Sequence, residues 1–201
     1  MTVNMNRAGI KISLTLFALL AVGYPLWVRL SHTDWASGSL LLNIFPALGI
    51  GAFTLLWLHS MSGVFEPWLR EQFDFDRFVR VTSIMILICL ILHPLLLLIA
   101  MGSTFTQIIY GGKYIWLGII GWLLLITYDV GKVLNKNDFF VRHWHKILII
   151  STIGFLLTFF HAINIGSDLQ SGPLRIVWMF YGITAILATI YTYGIKRLLK
   201  N

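Results

Sequence analysis

The chain has 201 residues, of which 58% are hydrophobic and 11% are charged, and its mean hydropathy is +0.82. Soluble domains of this size do not have such a composition, so we predict an all-α integral membrane protein. The formal net charge is +7, but the basic residues stand at the ends of apolar runs, where they set topology and contact anionic lipid headgroups. Nucleic-acid binding is therefore not predicted.

The apolar runs are about 20 residues long, the length that an α-helix needs to cross the hydrocarbon core. They lack the period-two alternation of a β-barrel. We predict one domain over 1–201, a six-helix bundle with spans at 10–28, 40–60, 79–101, 114–131, 146–165 and 174–194. The first span is predicted to be retained, because no small-residue cleavage site follows it. The segment 61–78 is predicted to be a loop, and no nucleophile or acid–base pair indicates a catalytic residue.

Orientation is predicted from the distribution of Lys and Arg around the six spans. Twelve of the 15 basic residues fall on one side, and only Arg29, Lys113 and Arg175 fall on the other. This asymmetry predicts that both termini lie in the cytoplasm and that the protein is a multi-pass protein of the cell (inner) membrane. The third and fifth helices would then both run from inside to outside.

Two histidines lie deep in apolar segments and at matched depth. His93 is 14 residues after Val79, and His161 is 15 residues after Lys146, so each lies roughly 21–23 Å from the inner end of its helix. An imidazole without a partner in hydrocarbon costs several kcal/mol. Two imidazoles at one level of a bundle are typical axial ligands of a b-type haem, and the chain has no C-x-x-C-H motif for covalent attachment. In the alternative interpretation, both side chains hydrogen-bond to backbone or to hydroxyls such as that of Thr158.

The remaining histidines lie outside the hydrocarbon core in this interpretation. His32 is predicted to be a solvated loop residue. The inner-interface group consists of His59, His143 and His145. These three are either snorkelling headgroup contacts or part of an inner-face cofactor or electron-entry site, where Arg80, Arg142 and Lys146 would supply positive charge for phosphate or propionate groups.

Three further residues have predicted local roles. Pro94 follows His93 and removes the hydrogen bond to the Leu90 carbonyl, so a kink is expected there. Gly118 is interpreted as a helix-packing residue. Asp129 is interpreted as an interfacial carboxylate paired with Lys132, with a proton-handling role as the alternative.

Several features together resemble the ferric reductase-like transmembrane domain family. They are the six-helix plan, Arg80 thirteen positions before His93, the stretch YIWLGIIGWLLLITYDV at 114–130, and Trp144 seventeen positions before His161. Within that family the chain resembles the haem-binding membrane subunits of bacterial periplasmic methionine sulfoxide reductase systems. The resemblance implies a b-haem subunit that is the electron-transfer component of an oxidoreductase. Electrons would pass from a cytoplasmic or membrane donor, through flavin (FMN or FAD) or quinol, to a partner protein or other acceptor at the outer face.

The resemblance places the haem-iron ligands at His93 and His161, and the chain departs from the family pattern at two other positions. Leu148 stands where members usually have a histidine, and Val79 stands where the oxidase and metalloreductase branches have one. We therefore predict one haem. A second haem, held by His59 with His145 or His143, stays open as the alternative.

A different class of function also stays open. A non-redox membrane scaffold or small transporter would use its histidines for packing or proton relay. A transporter of this kind would have internally related halves with helices broken at the midplane, and the sequence shows no convincing repeat.

Overall fold

The computed structural model describes residues 2–36, 39–104, 112–134 and 136–198. The α-helices in these ranges are α1 (Thr2–Ser31), α2 (Leu40–Val64), α3 (Glu66–Gln72), α4 (Phe75–Met101), α5 (Lys113–Val133), α6 (Asp138–Ile165) and α7 (Gly172–Ile190). Helix α7 continues through a π-helical turn, Tyr191–Ile195, into a last turn, Lys196–Leu198. Short 3₁₀ turns cover Gly102–Thr104 and Ser167–Leu169. The predicted all-α fold is confirmed.

Within the described residues, six helices are long and apolar enough to cross a membrane: α1, α2, α4, α5, α6 and α7. Their outward faces carry large hydrophobic side chains, for example Leu20, Ile84 and Ile176, which are 68%, 55% and 73% exposed. In water such surfaces would be costly, whereas in a bilayer they face lipid tails. The chain is therefore a multi-pass membrane protein in contact with lipid.

The helix ends extend beyond the predicted apolar runs, for local reasons. Asn137 caps the start of α6, because its side chain accepts a hydrogen bond from the Phe139 N–H at 2.9 Å. The polar residues before Lys146 are therefore helical. Asp74 caps α4 in the same way through the Arg77 N–H, at 3.0 Å. The prediction of a loop over 61–78 is wrong in part, because this segment contains the end of α2, the short helix α3 and the first turn of α4.

Helix α2 lies at the centre of the bundle, where it packs against α1, α4, α6 and α7. Its aromatic side chains stack on those of α7: Phe53 on Trp178 and Trp57 on Tyr181, each pair with ring centroids 4.2 Å apart. The indole N–H of Trp57 donates to Thr184 at 2.8 Å. Stacked and hydrogen-bonded aromatic pairs of this kind hold α7 against the centre.

The two most extensive helix pairs are α5 with α6 and α2 with α4. In α5–α6 the backbones approach closely, since a Cβ placed on Gly154 would lie 2.7 Å from the Gly121 carbonyl oxygen. Small residues are what permits such approach between membrane helices. These two antiparallel hairpins carry the candidate site.

The predicted orientation of the six spans can be checked with reporter fusions. Because the basic side of the bundle is expected to stay in the cytoplasm, alkaline phosphatase fused after Asn201 should be inactive, and a fusion in the 105–111 segment should be active. Activity in the reverse pattern would invert the predicted depth of His93 and His161.

Candidate cofactor site between two helical hairpins

His93 of α4 packs against α2. Its Nδ1 lies 2.7 Å from the carbonyl oxygen of Phe45. A Cβ placed on Gly49 would lie 2.8 Å from the imidazole Cε1, closer than real Cβ contacts allow. Gly49 is thus the residue that admits the ring between the two helices.

His161 of α6 packs against α5 in the same manner. Its Nδ1 lies 2.8 Å from the carbonyl oxygen of Tyr114. A Cβ on Gly118 would overlap the imidazole ring. Both histidines are half-buried, and each fits onto a glycine four residues after the carbonyl that it contacts.

These contacts determine the tautomer of each ring. A carbonyl oxygen can only accept, so Nδ1 must carry the proton and Nε2 must carry the lone pair. Among the described residues neither Nε2 has a hydrogen-bond partner. A backbone carbonyl on one imidazole nitrogen is the usual arrangement that orients a histidine for metal binding through the other nitrogen. In each ring Nε2 is therefore the nitrogen that is available to a ligand.

The two hairpins repeat the same arrangement. Positions in α2 match positions 69 residues later in α5, as Gly49 matches Gly118, and the histidine of α4 matches that of α6 at an offset of 68. The contact of a histidine with a glycine and a carbonyl thus recurs in both hairpins, although the sequence shows no convincing repeat. The repeat escapes the sequence because the intervening lipid-facing residues differ, while only a few inward positions are shared.

A further bond joins the hairpins beside the histidines. The indole N–H of Trp122 in α5 donates to the Leu90 carbonyl of α4 at 2.7 Å, the carbonyl that Pro94 leaves without its helical partner. Leu90 is three residues before His93, and Trp122 is four residues after Gly118. The bond therefore joins α5 to α4 close to His93 and one turn from the glycine that contacts His161.

The backbone alternative is also realised, since both imidazoles do hydrogen-bond to carbonyls. Each bond uses one nitrogen only. The hydroxyl of Thr158 donates instead to the Phe155 carbonyl at 2.7 Å. In the described part of the chain no group of three or more His, Cys, Asp or Glu is arranged around a metal position. The candidate cofactor site therefore consists of the two histidines alone.

The residues predicted for an inner-face site are spread over two helices. Arg80 is exposed on α4, and Arg142 and His145 are exposed on α6. The His145 ring lies 5.8 Å from that of Tyr193, which belongs to the extension of α7.

His59 occupies a more interior position than the interface interpretation predicts. It is half-buried, and its Nε2 is hydrogen-bonded to the Thr82 hydroxyl within the α2–α4 hairpin. Among the described residues no ion pair within 4 Å joins Asp129 and Lys132, and the Lys132 ammonium lies 6.0 Å from the centre of the Tyr128 ring. Both His59 and Asp129 border a small cavity described below.

Comparisons with protein-family models, with curated proteins and with solved structures find no match to this chain. The resemblance to the ferric reductase-like family and the ligand positions that it implies therefore stay predictions. The functional argument depends on the geometry of the two hairpins.

Proposed function

We propose that this chain is a b-type haem subunit that carries electrons across the inner membrane. The donor would be cytoplasmic or within the membrane, through flavin or quinol, and the acceptor would lie at the outer face. One observation carries the proposal: His93 and His161 are oriented in the same way, on matching glycines of a repeated hairpin, with both Nε2 atoms free to ligate. A haem iron held by this pair would accept and release one electron at a time.

The surrounding residues suit a low-spin electron carrier. The Nδ1 bonds to Phe45 and Tyr114 would keep each imidazole in one orientation and increase its basicity as a ligand. The Phe45 ring also lies against His93, with 5.4 Å between ring centroids. If both imidazoles held the iron, the haem would supply one-electron transfer and not substrate chemistry.

The proposed electron entry lies at the basic, inner side of the bundle. Arg80, Arg142 and His145 are exposed there, and guanidinium groups pair well with phosphate. A flavin nucleotide or a soluble flavoprotein partner would find its positive charge at these positions. Exposed basic groups on α4 and α6 would attract a negatively charged partner to this side.

A non-redox scaffold or small transporter remains the second candidate. The backbone hydrogen bonds of His93 and His161 favour it, because they partly satisfy both side chains without any cofactor. The scaffold leaves each Nε2 without a partner in an apolar setting, which is unfavourable. Ligation of a haem iron by Nε2 would remove this cost.

Colour distinguishes the two functions. The purified protein, expressed with adequate haem supply, should show a Soret band and an α-band that sharpens on reduction, and a pyridine haemochrome assay should give close to one haem per chain. A colourless, folded protein that stays colourless after incubation with haemin would contradict the electron-carrier function. A value close to two haems per chain would contradict the single-haem prediction.

A further inference from the structure

Residues of the four helices of the two hairpins line a small, partly open cavity towards the predicted inner side of the histidine pair. Its volume is about 30 Å³, and it is lined by Leu56, His59, Ser83, Ile86, Leu90, Leu125, Tyr128, Asp129 and Ser151. This volume suits about one or two water molecules and excludes a haem or a flavin ring. The cavity reaches Leu90, one helical turn from His93.

Polar groups converge on this space from all four helices. His59 comes from α2, Ser83 from α4, Tyr128 and Asp129 from α5, and Ser151 from α6. Several lining residues correspond to each other under the hairpin repeat: Leu56 with Leu125, His59 with Tyr128, and Ser83 with Ser151. Part of the cavity lining therefore follows the same repeat that relates the two imidazoles.

Asp129 is a position at which the two hairpins differ. The matching residue in α2 is Ser60, so only the α5–α6 hairpin contributes a carboxyl group at this position. In the described residues no basic side chain lies within ion-pair distance of Asp129. A carboxylate that is half-buried and has no close counter-ion is well placed to bind a proton.

We propose that this cavity is a proton-uptake site, in which Asp129 gains a proton when the haem of the proposed function gains an electron. The electron comes from the inner-side donor and the proton from cytoplasmic water, so the only new covalent bond is the O–H of the carboxyl group. The physical reason is charge compensation: an added negative charge in a medium of low dielectric constant raises the proton affinity of a nearby carboxylate. The coupling to haem reduction rests on the proposed function, whereas proton binding at Asp129 does not require a haem.

Other titratable groups that face the cavity act on the same proton. They are His59 from α2 and Tyr128 from α5, and Lys132, on the same helix as Asp129, interacts electrostatically with both His59 and Asp129. Helices α4 and α6 contribute the hydroxyls of Ser83 and Ser151. His59 is hydrogen-bonded to Thr82 through Nε2, and it is a weaker candidate for the proton because the positive charge of Lys132 opposes a second cation.

Redox titration of the haem at several pH values tests the coupling. In the native chain the midpoint potential should fall as pH rises, with a slope approaching ~59 mV per pH unit, the one-electron value for a tenfold change in proton concentration. Asp129→Asn should bind haem normally and show a nearly flat dependence, whereas Asp129→Glu should retain the slope. Asp138→Asn, at an exposed position on α6, is the matched control and should behave as the native chain. If His59→Gln flattens the slope and Asp129→Asn does not, the assignment to Asp129 is wrong.

Infrared spectroscopy separates this proposal from the haem function. A protonated carboxyl group in the cavity gives a C=O stretch that shifts in deuterium oxide, that is missing in Asp129→Asn and that remains in Asp138→Asn. This band should be present at mildly acidic pH even in protein without haem. If the protein binds no haem but shows the band, the electron-carrier function fails and the proton site stands. If no such band appears at any pH, or if the potential of the native chain does not depend on pH, the proton-uptake proposal is overturned.

Discussion

Replacing His93 or His161 with Ala is expected to remove the haem absorbance of the purified protein almost completely. Loss of one imidazole would leave a haem iron with a single histidine ligand from the protein and a hole in the bundle, and loss of even an outer-shell partner commonly lowers metal affinity 10–100-fold. The measurement is the Soret absorbance per folded protein, with the folded fraction determined by size-exclusion chromatography in detergent. Added imidazole should restore part of the absorbance, because the free ring can occupy the space that the side chain leaves.

His32 and His143 provide the matched controls for this experiment. Each has its Nδ1 hydrogen-bonded to a backbone carbonyl one turn earlier in its own helix, to Val28 at 2.7 Å and to Phe139 at 2.8 Å, so each shares the local bond but not the interhelical position. Their Ala variants should keep the native spectrum. Full absorbance in His93→Ala, with or without imidazole, would exclude this histidine as a ligand. A loss of absorbance in His59→Ala equal to that in His93→Ala would direct attention to an inner haem.

The transmembrane plan was predictable from the sequence, because six runs of about 20 apolar residues leave few alternatives in a bilayer. The helix ends were less predictable. The caps at Asp74 and Asn137 depend on side-chain hydrogen bonds within polar segments, and hydropathy does not register them. Helix α3 was not predicted, because its sequence is too short and too polar to be distinguished from a loop.

In the candidate site, too, some features could be predicted from the sequence and others could not. Burial cost marked His93 and His161, because an imidazole far inside an apolar run needs a reason. Their partners could not be predicted, since the carbonyls of Phe45 and Tyr114 become partners only through the packing of neighbouring helices. The cavity escaped as well, because its lining comes from four helices and its only charged member, Asp129, stands near Lys132 in sequence and suggested a surface ion pair.

The same contacts recur in both hairpins, and this recurrence connects the histidine pair with the cavity. A histidine on one helix, a glycine and a carbonyl on the next, and a serine ten residues before the histidine recur in both hairpins: Ser83 precedes His93 as Ser151 precedes His161. Each hairpin therefore holds one imidazole through Nδ1 and leaves its Nε2 available, which is what the proposed ligation of a haem iron requires.

Gly118→Ala is expected to lower haem occupancy by roughly tenfold or more without removing either ligand. The new Cβ would overlap the His161 ring, and the ring cannot shift freely because its Nδ1 is bonded to the Tyr114 carbonyl. Forcing one extra carbon into a packed contact typically costs about 1–3 kcal/mol, and 1.4 kcal/mol is a factor of ten in an equilibrium constant. Gly49→Ala should have the same effect in the other hairpin. Haem titration into the purified variants measures the affinity.

Two further glycines separate ligand positioning from general packing. A Cβ on Gly63, in the same helix as Gly49, would meet nothing within 4 Å, so Gly63→Ala should bind haem as the native chain does. Gly154→Ala would bring a Cβ to 2.7 Å from the Gly121 carbonyl oxygen, which should lower the melting temperature of the α5–α6 hairpin without touching an imidazole. If Gly118→Ala loses haem only in proportion to its loss of folded protein, as Gly154→Ala should, the glycine serves packing alone. A larger loss of haem than of stability in Gly118→Ala would show that the close fit of ring on glycine positions the ligand, and this is the result that we expect.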